Sequence, residues 1–257
     1  DALYHLPGDE ELAVDGALRP PSPGHGIHRN LPGCSGLATA GELDPPKEVP
    51  VAEVEKEAKL IVSREDYQRL RARSRVLECR NQLNVYLHDP GRLHEELGYF
   101  RVRYESGRQP VATLKIPRGW RGPVREMLEI ERPLKELGPG LYPWPRRHVR
   151  VDSDLPEEMS RHFLELGIRR LRRLGWMRNF RCLVEVEGLG LLELDVTELP
   201  GGKMHHEVEI ECWEEALLHR LIAWVEATAP SAEVTRVGKF SRFLEAVAGT
   251  RSAPSGG

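Results

Sequence analysis

From Val51 to Leu60 the chain alternates at period two, with Glu53, Glu55, Glu57 and Lys59 on one face and Val54, Lys56, Ala58, Leu60 and then Val62 on the other. The pattern predicts a strand whose charged face stands opposite its packing face. It recurs along the chain. Gln82 to His88 sets Leu83, Val85 and Leu87 on one side. Tyr99 to Tyr104 sets Arg101 and Arg103 against Phe100, Val102 and Tyr104, and Val111 to Ile116 sets Thr113 and Lys115 against Leu114 and Ile116. Met127 to Leu134 places Glu129 and Glu131 opposite Leu128 and Ile130. Three later segments, Asn179 to Glu187, Gly190 to Val196 and Met204 to Cys212, align Glu193 with Asp195, and Glu207 with Glu209 and Glu211.

Between the strands the period changes to that of helices. Ser63-Arg-Glu-Asp66 has the form of an N-cap with an acidic first turn, opening a helix that runs to about Val76. A turn at Asp89-Pro-Gly91 leads into a short helix, Arg92 to Leu97. A longer helix is expected from Leu155, with Met159, Phe163, Leu166, Ile168 and Leu171 as its apolar stripe. Arg169, Arg170, Arg172 and Arg173 then form its solvated basic face, since no aromatic residues interleave with them. A helix from Trp213 to Ala227 and a short one after Gly238 complete the elements. Residues 1–50, rich in Pro and Gly without a sustained period, read as a disordered leader; 51–247 read as the folded domain and 248–257 as a tail.

About eight strands is the number that closes a small barrel, and closure leaves no sheet edge open. The apolar faces must pack under the amphipathic helices, so the charged faces line the lumen. The expected fold is therefore α+β: a closed eight-stranded antiparallel β-barrel, a tunnel with a charged lumen, flanked by helices. Lys59, Arg101, Arg103 and Lys115 suit a polyphosphate. The carboxylates of Glu55, Glu57, Glu129, Glu131, Glu193, Asp195, Glu207, Glu209 and Glu211 suit hard divalent cations, Mg²⁺ or Mn²⁺.

The chain has 257 residues and a net charge of -3 from 37 basic and 40 acidic residues, a balance that argues for neither nucleic acid nor a membrane surface as partner. Cys34, Cys79, Cys182 and Cys212 are spread singly, which disfavours a zinc site or a disulfide framework and fits a reducing cytoplasm. The adjacent His205 and His206 point to opposite faces of a strand and read as surface residues.

Glu55-x-Glu57-x-Lys59 resembles the E-x-E-x-K signature of the CYTH superfamily, the triphosphate tunnel metalloenzymes. Gly98-Tyr-Phe-Arg-Val-Arg103 is similar to that family's G-x-x-L-R-x-R element, Thr113-Leu-Lys115 to its T-L-K strand, Leu192-Glu-Leu-Asp195 to its acidic strand, Glu207-Val-Glu-Ile-Glu211 to its E-x-E strand and Gly238-Lys-Phe240 to its S-K-Y element. The resemblance implies an eight-stranded tunnel acting on triphosphates. It implies that Lys59, Arg101, Arg103, Lys115 and Lys239 bind phosphate oxygens, that Glu55, Glu57, Asp195, Glu207 and Glu209 hold Mg²⁺ or Mn²⁺, and that Lys59, Glu57 and Arg103 stand at the reacting phosphate. The family's K-x-R pair has no full counterpart: Arg178 or Arg181 fills the arginine role, and the lysine is missing. The expected activity is hydrolysis of inorganic triphosphate or an organic one such as thiamine triphosphate. The alternatives are a class IV-type adenylate cyclase and a non-catalytic polyphosphate-binding module. A small-molecule triphosphate is the expected partner, with no nucleic acid or membrane, and the oligomeric state is open, a homodimer included.

Overall fold

The computed structural model describes residues 53–89, 97–212 and 214–252, the side chains of residues 53, 55 and 249–252 excepted. Ten strands form one antiparallel sheet: β1 (Glu53–Val62), β2 (Arg75–His88), β3 (Tyr99–Glu105), β4 (Val111–Arg121), β5 (Val124–Pro133), β6 (His148–Arg150), β7 (Arg170–Val186), β8 (Gly190–Glu198), β9 (Met204–Glu211) and β10 (Glu233–Val234). Eight of them close on themselves in the order β1-β5-β4-β3-β2-β7-β8-β9, because β1 pairs with β5 through Glu57↔Arg125 and with β9 through Lys59↔Glu209. β6 and β10 lie outside the ring, against β7 and β1. This is the closed, helix-flanked barrel that the alternation predicts.

The outward positions alternate with the charged ones and are buried. Ala58, Leu60, Leu192, Leu194, Val208 and Ile210 pack beneath two helices, α1 (Arg64–Ala72) and α4 (Glu215–Thr228), through Tyr67, Leu70, Leu218, Leu221 and Val225. On the other flank, Phe100, Val102, Leu114 and Ile130 pack against α2 (Val151–Asp154) and α3 (Glu157–Glu165) through Val151, Met159 and Phe163. A last helix, α5 (Lys239–Ser252), lays Phe240 and Phe243 over Tyr86 and Met177 on the inner face.

Several expected boundaries move. Ser63 caps α1 as predicted, its Oγ accepting from Asp66 N at 3.1 Å, but the helix stops at Ala72 and the chain re-enters the sheet at Arg75. The helix expected through Leu171 ends at Glu165. Gly167 has φ of +73°, and beyond it Ile168 N donates to Phe163 O at 2.8 Å, closing the last turn in the manner of a glycine-terminated helix. Arg169, Arg170, Arg172 and Arg173 therefore do not form a helix face; the last three belong to β7. The short helix over 92–97 falls outside the described residues save Leu97, as does Trp213. Cys79 and Cys182, directly opposite each other on β2 and β7, are joined by a disulfide, which corrects the reading of the cysteines as unpaired. Among the described residues no helix is long and apolar enough to cross a membrane.

Candidate functional site

The barrel encloses a cavity of about 660 Å³ whose lining includes Glu57, Lys59, Arg101, Arg103, Lys115, Arg181, Glu193, Glu209 and Lys239. The local reason is the pleat. On β8, Glu193, Asp195 and Thr197 point inward between buried Leu192, Leu194 and Val196; on β9, Glu207 and Glu209 do so beside Val208 and Ile210.

Round the ring of eight, β4 stands four places from β8, and β3 four places from β9. The cations of β3 and β4, Arg101, Arg103 and Lys115, thus occupy the wall opposite the carboxylates Asp195, Glu207 and Glu209. Those three carboxylates are buried, and each offers an oxygen within 4.8 Å of the others. Such a group of like charges persists only if compensated. Lys239 Nζ lies 2.7 Å from Asp195 Oδ2 and 2.5 Å from Glu207 Oε1, and it also pairs with Glu209. Arg181 donates to both oxygens of Asp195 and pairs with Glu193 and Glu209. Lys59 Nζ reaches Glu57 at 2.8 Å and Glu209 at 2.5 Å, while Arg242 pairs with Glu207.

The compensation is uneven. Burial alone raises Asp195, but Arg181 and Lys239 outweigh it and hold the carboxyl at about 2. Burial likewise opposes the ionised form of Glu209, which Lys239, Lys59 and Arg181 hold well below the usual range. For Glu207 and Glu193 burial wins and the carboxyls are pushed up. Across the cavity Lys115 pairs with Glu129 at 2.7 Å, and Arg101 lies 3.6 Å from the same residue. Arg103 has Asn84 Oδ1 as its hydrogen-bond acceptor at 3.0 Å and no carboxylate partner among the described residues. Burial, together with repulsion from Arg101 and Arg181, lowers its guanidinium to about 10. That positive charge is open to an anion entering the cavity.

Of the residues singled out in the sequence, Glu57, Lys59, Arg101, Arg103, Lys115, Arg181 and Lys239 line the cavity, with Asp195, Glu207 and Glu209 bonded among them. Glu55 pairs with Met127 in the β1–β5 ladder, and its side chain lies outside the described residues. Arg178 does not belong to the set. It stands on the outward face, 3.8 Å from Glu198 and over the Trp176 ring, because it is an odd number of residues from inward-facing Arg181. His206 packs its ring against Tyr67, and His205 and His206 are both lowered by partial burial.

Three groups escaped the sequence reading. Arg242 lies one helical turn beyond Lys239, a spacing that places both on one face of α5. Gln82, Asn84 and Tyr86 are the even positions of β2, legible as the reverse of the Leu83-Val85-Leu87 face. Asn179, two residues before Arg181, donates to Gln82 Oε1 at 2.9 Å and Asp195 Oδ1 at 3.0 Å and accepts from Thr197 at 2.8 Å. A buried neutral amide thus sits where a K-x-R pair ending at Arg181 has its lysine.

A family model described as the CYTH domain matches residues 53–234. No curated protein matches the chain. Among solved structures, HpAC1 from Hippeastrum, described as an adenylyl cyclase candidate with a dominant triphosphatase activity, is 23% identical with a TM-score of 0.58, covering 74% of this chain and 95% of that one. A candidate adenylate cyclase from Bacillus halodurans is 20% identical with a TM-score of 0.51, covering 74% of this chain and 97% of its own. At these identities the likeness is one of fold.

Proposed function

Since the chain belongs to the CYTH domain family, we propose that it is a metal-dependent triphosphatase, hydrolysing inorganic triphosphate or an organic triphosphate such as thiamine triphosphate. The observation that carries this reading is the opposition of two walls, buried Arg101 and Lys115 with half-buried Arg103 facing buried Asp195, Glu207 and Glu209. One wall offers cations to an anion rich in oxygen; the other offers carboxylate oxygens, now paired with Lys59, Arg181, Lys239 and Arg242, to a divalent ion. A triphosphate accompanied by a divalent ion suits both walls.

The donor set fits Mg²⁺ or Mn²⁺, because the clustered side chains offer only hard carboxylate oxygens, within 4.8 Å of one another. Asp195, Glu207 and Glu209, with Glu57 and Glu55, would hold the ion, which when bound supplies neutralisation of charge on the phosphate chain. Arg103, Arg101 and Lys115 grip the phosphate oxygens from the opposite wall. Lys59 and Lys239, now held by carboxylates, turn to the phosphates as these enter. Water attacks the terminal phosphorus in line, the bridging P–O bond breaks, and diphosphate, or the diphosphate ester, leaves. Arg101, Arg103 and Lys115, which keep their places on the opposite wall, stabilise the charge on the equatorial oxygens without having to reorganise.

The test is a panel of inorganic triphosphate, thiamine triphosphate and ATP with Mg²⁺ or Mn²⁺, scored for released phosphate and for cyclic AMP. Phosphate release supports the reading. An absence of phosphate release from every triphosphate with either metal sinks it, and cyclic AMP from ATP would assign the tunnel to the cyclase reaction instead.

A further inference from the structure

At the end of the barrel wall, where Arg172 still pairs with His88 of β2, β6 and the first residues of β7 form a short ribbon. His148 stands opposite Arg172, Val149 opposite Leu171 and Arg150 opposite Arg170. Directly opposed residues share a face. Val149 and Leu171 are both 0% exposed within the core over α3, so the other face carries His148, Arg150, Arg170 and Arg172. His148, Arg150 and Arg170 are exposed, as are the flanking Arg147 and Arg169. Asp152, which binds Arg150 at 3.0 and 3.2 Å, is the one acid paired with this patch among the described residues. Like charges directly opposite one another destabilise a sheet. In a chain with a net charge of -3, the concentration is local and does not reflect the composition.

We propose that this ribbon face docks the sugar–phosphate backbone of a nucleic acid. The partner is a phosphate carrier because the positive charges are arginines, with no lysine between residues 146 and 173, and the guanidinium fork matches phosphate oxygens two at a time. Along a strand the same-face positions repeat every ~6.6 Å, and across the pair they stand ~5 Å apart. That coarse grid suits phosphates held apart by sugars better than an inorganic polyphosphate, whose neighbouring phosphorus atoms share one oxygen. The contacts proposed are to phosphate oxygens, which position a strand and carry no sequence information of their own. This inference is independent of the chemistry in the cavity.

The experiment uses the full chain and a fluorescent oligoribonucleotide ending in a 5′-hydroxyl, which offers no triphosphate to the cavity. With about three phosphates neutralised, affinity for a single strand should fall roughly 20-fold between about 50 and 200 mM salt. Arg170→Glu with Arg172→Glu should weaken binding at least tenfold at the lower salt, leaving phosphate release unchanged. Arg170→Gln with Arg172→Gln, which removes charge without reversing it, should give a smaller loss and covers the case in which the first pair fails to fold. No binding at the lower salt, binding indifferent to both pairs of substitutions, or stronger binding to inorganic polyphosphate or anionic vesicles than to the oligonucleotide would overturn the proposal.

Discussion

Arg181 and Asp195 face each other across the β7–β8 ladder and bond twice, Nε to Oδ1 at 2.9 Å and Nη2 to Oδ2 at 2.7 Å, with Asp195 fully buried. The geometry is the two-pronged one in which a guanidinium and a carboxylate lose least by leaving water. The same guanidinium also pairs with Glu193 and Glu209, so removing it strips three carboxylates of a partner at once. Breaking a buried pair from one side typically costs about 3–5 kcal/mol. Arg181→Met should therefore lower the urea midpoint by a stability loss of that order, and Asp195→Asn added to it should restore part. Arg178→Ala, on the outward face over Trp176, should cost less, about 1 kcal/mol, and leave triphosphate turnover unchanged. Equal losses from the two arginine substitutions would contradict the assignment of faces.

Lys239 is positioned as a resident cation, its ammonium shared by Asp195, Glu207 and Glu209. A divalent ion entering that group must compete with it. Lys239→Met should bind Mn²⁺ more tightly than the parent when no triphosphate is present, read by calorimetry or by the Mn²⁺ resonance, even as phosphate release falls. Unchanged or weaker Mn²⁺ binding would separate Lys239 from the metal-holding group.

The two walls should respond to different ligands. Arg103→Ala removes a cation that has no carboxylate partner among the described residues, and should raise the KM for triphosphate with no rescue by added metal. Glu209→Gln should instead raise the metal concentration needed for half-maximal rate. If Lys59 touches the reacting phosphate, Lys59→Ala should cost on the order of 10²-fold in kcat. Superimposable metal titrations for Arg103→Ala and Glu209→Gln would refute the division of roles.

Acid should destabilise the barrel in part through Asp195, alongside Glu209. For Asp195 the folded-state value of about 2 lies below the ordinary carboxyl value of 3.8, so its contribution is present above the unfolded value and is lost as pH falls toward 2. Denaturant midpoints followed downward from pH 5 should show a decline that Asp195→Asn flattens. An identical decline in the variant would place the acid sensitivity elsewhere.

The disulfide makes a count. Denatured protein should react with two fewer equivalents of thiol reagent before reduction than after, and Cys79→Ser should abolish the difference. A full set of four reactive thiols before reduction would rule the bond out.

Much of the barrel is legible because most of its strands bear charge on one face and apolar side chains on the other, a contrast that survives errors of a few residues in any boundary. Lys59, Arg101, Arg103, Asp195 and Glu209 could be read as sharing one interior for the same reason. Arg178 and Arg181 differ by three residues along β7, so the pleat lets only one of them face inward. Gly167 shows a limit. An apolar stripe continued past it at helical spacing, and only a backbone angle that glycine reaches without strain turned the next arginines into a strand. Cys79 and Cys182 were beyond reach, since their meeting depends on the register between β2 and β7, which no local pattern specifies.

The closure of the ring through β1 and β9 also sets an order in time. During synthesis β1 emerges before every other strand of the barrel, while Glu209, the partner of Lys59, is made 150 residues later. Until then one edge of β1 has no ladder to join, and the nascent chain must keep it from pairing with other molecules. Its alternating charges help, because a face that will end inside the barrel is one that water tolerates during the wait. Pairing across so long a separation is slow. The last event in folding this barrel is therefore expected to be the return of its first strand to its last neighbour, and a refolding experiment should show the Lys59–Glu209 edge gaining hydrogen-exchange protection after the β3–β4 hairpin.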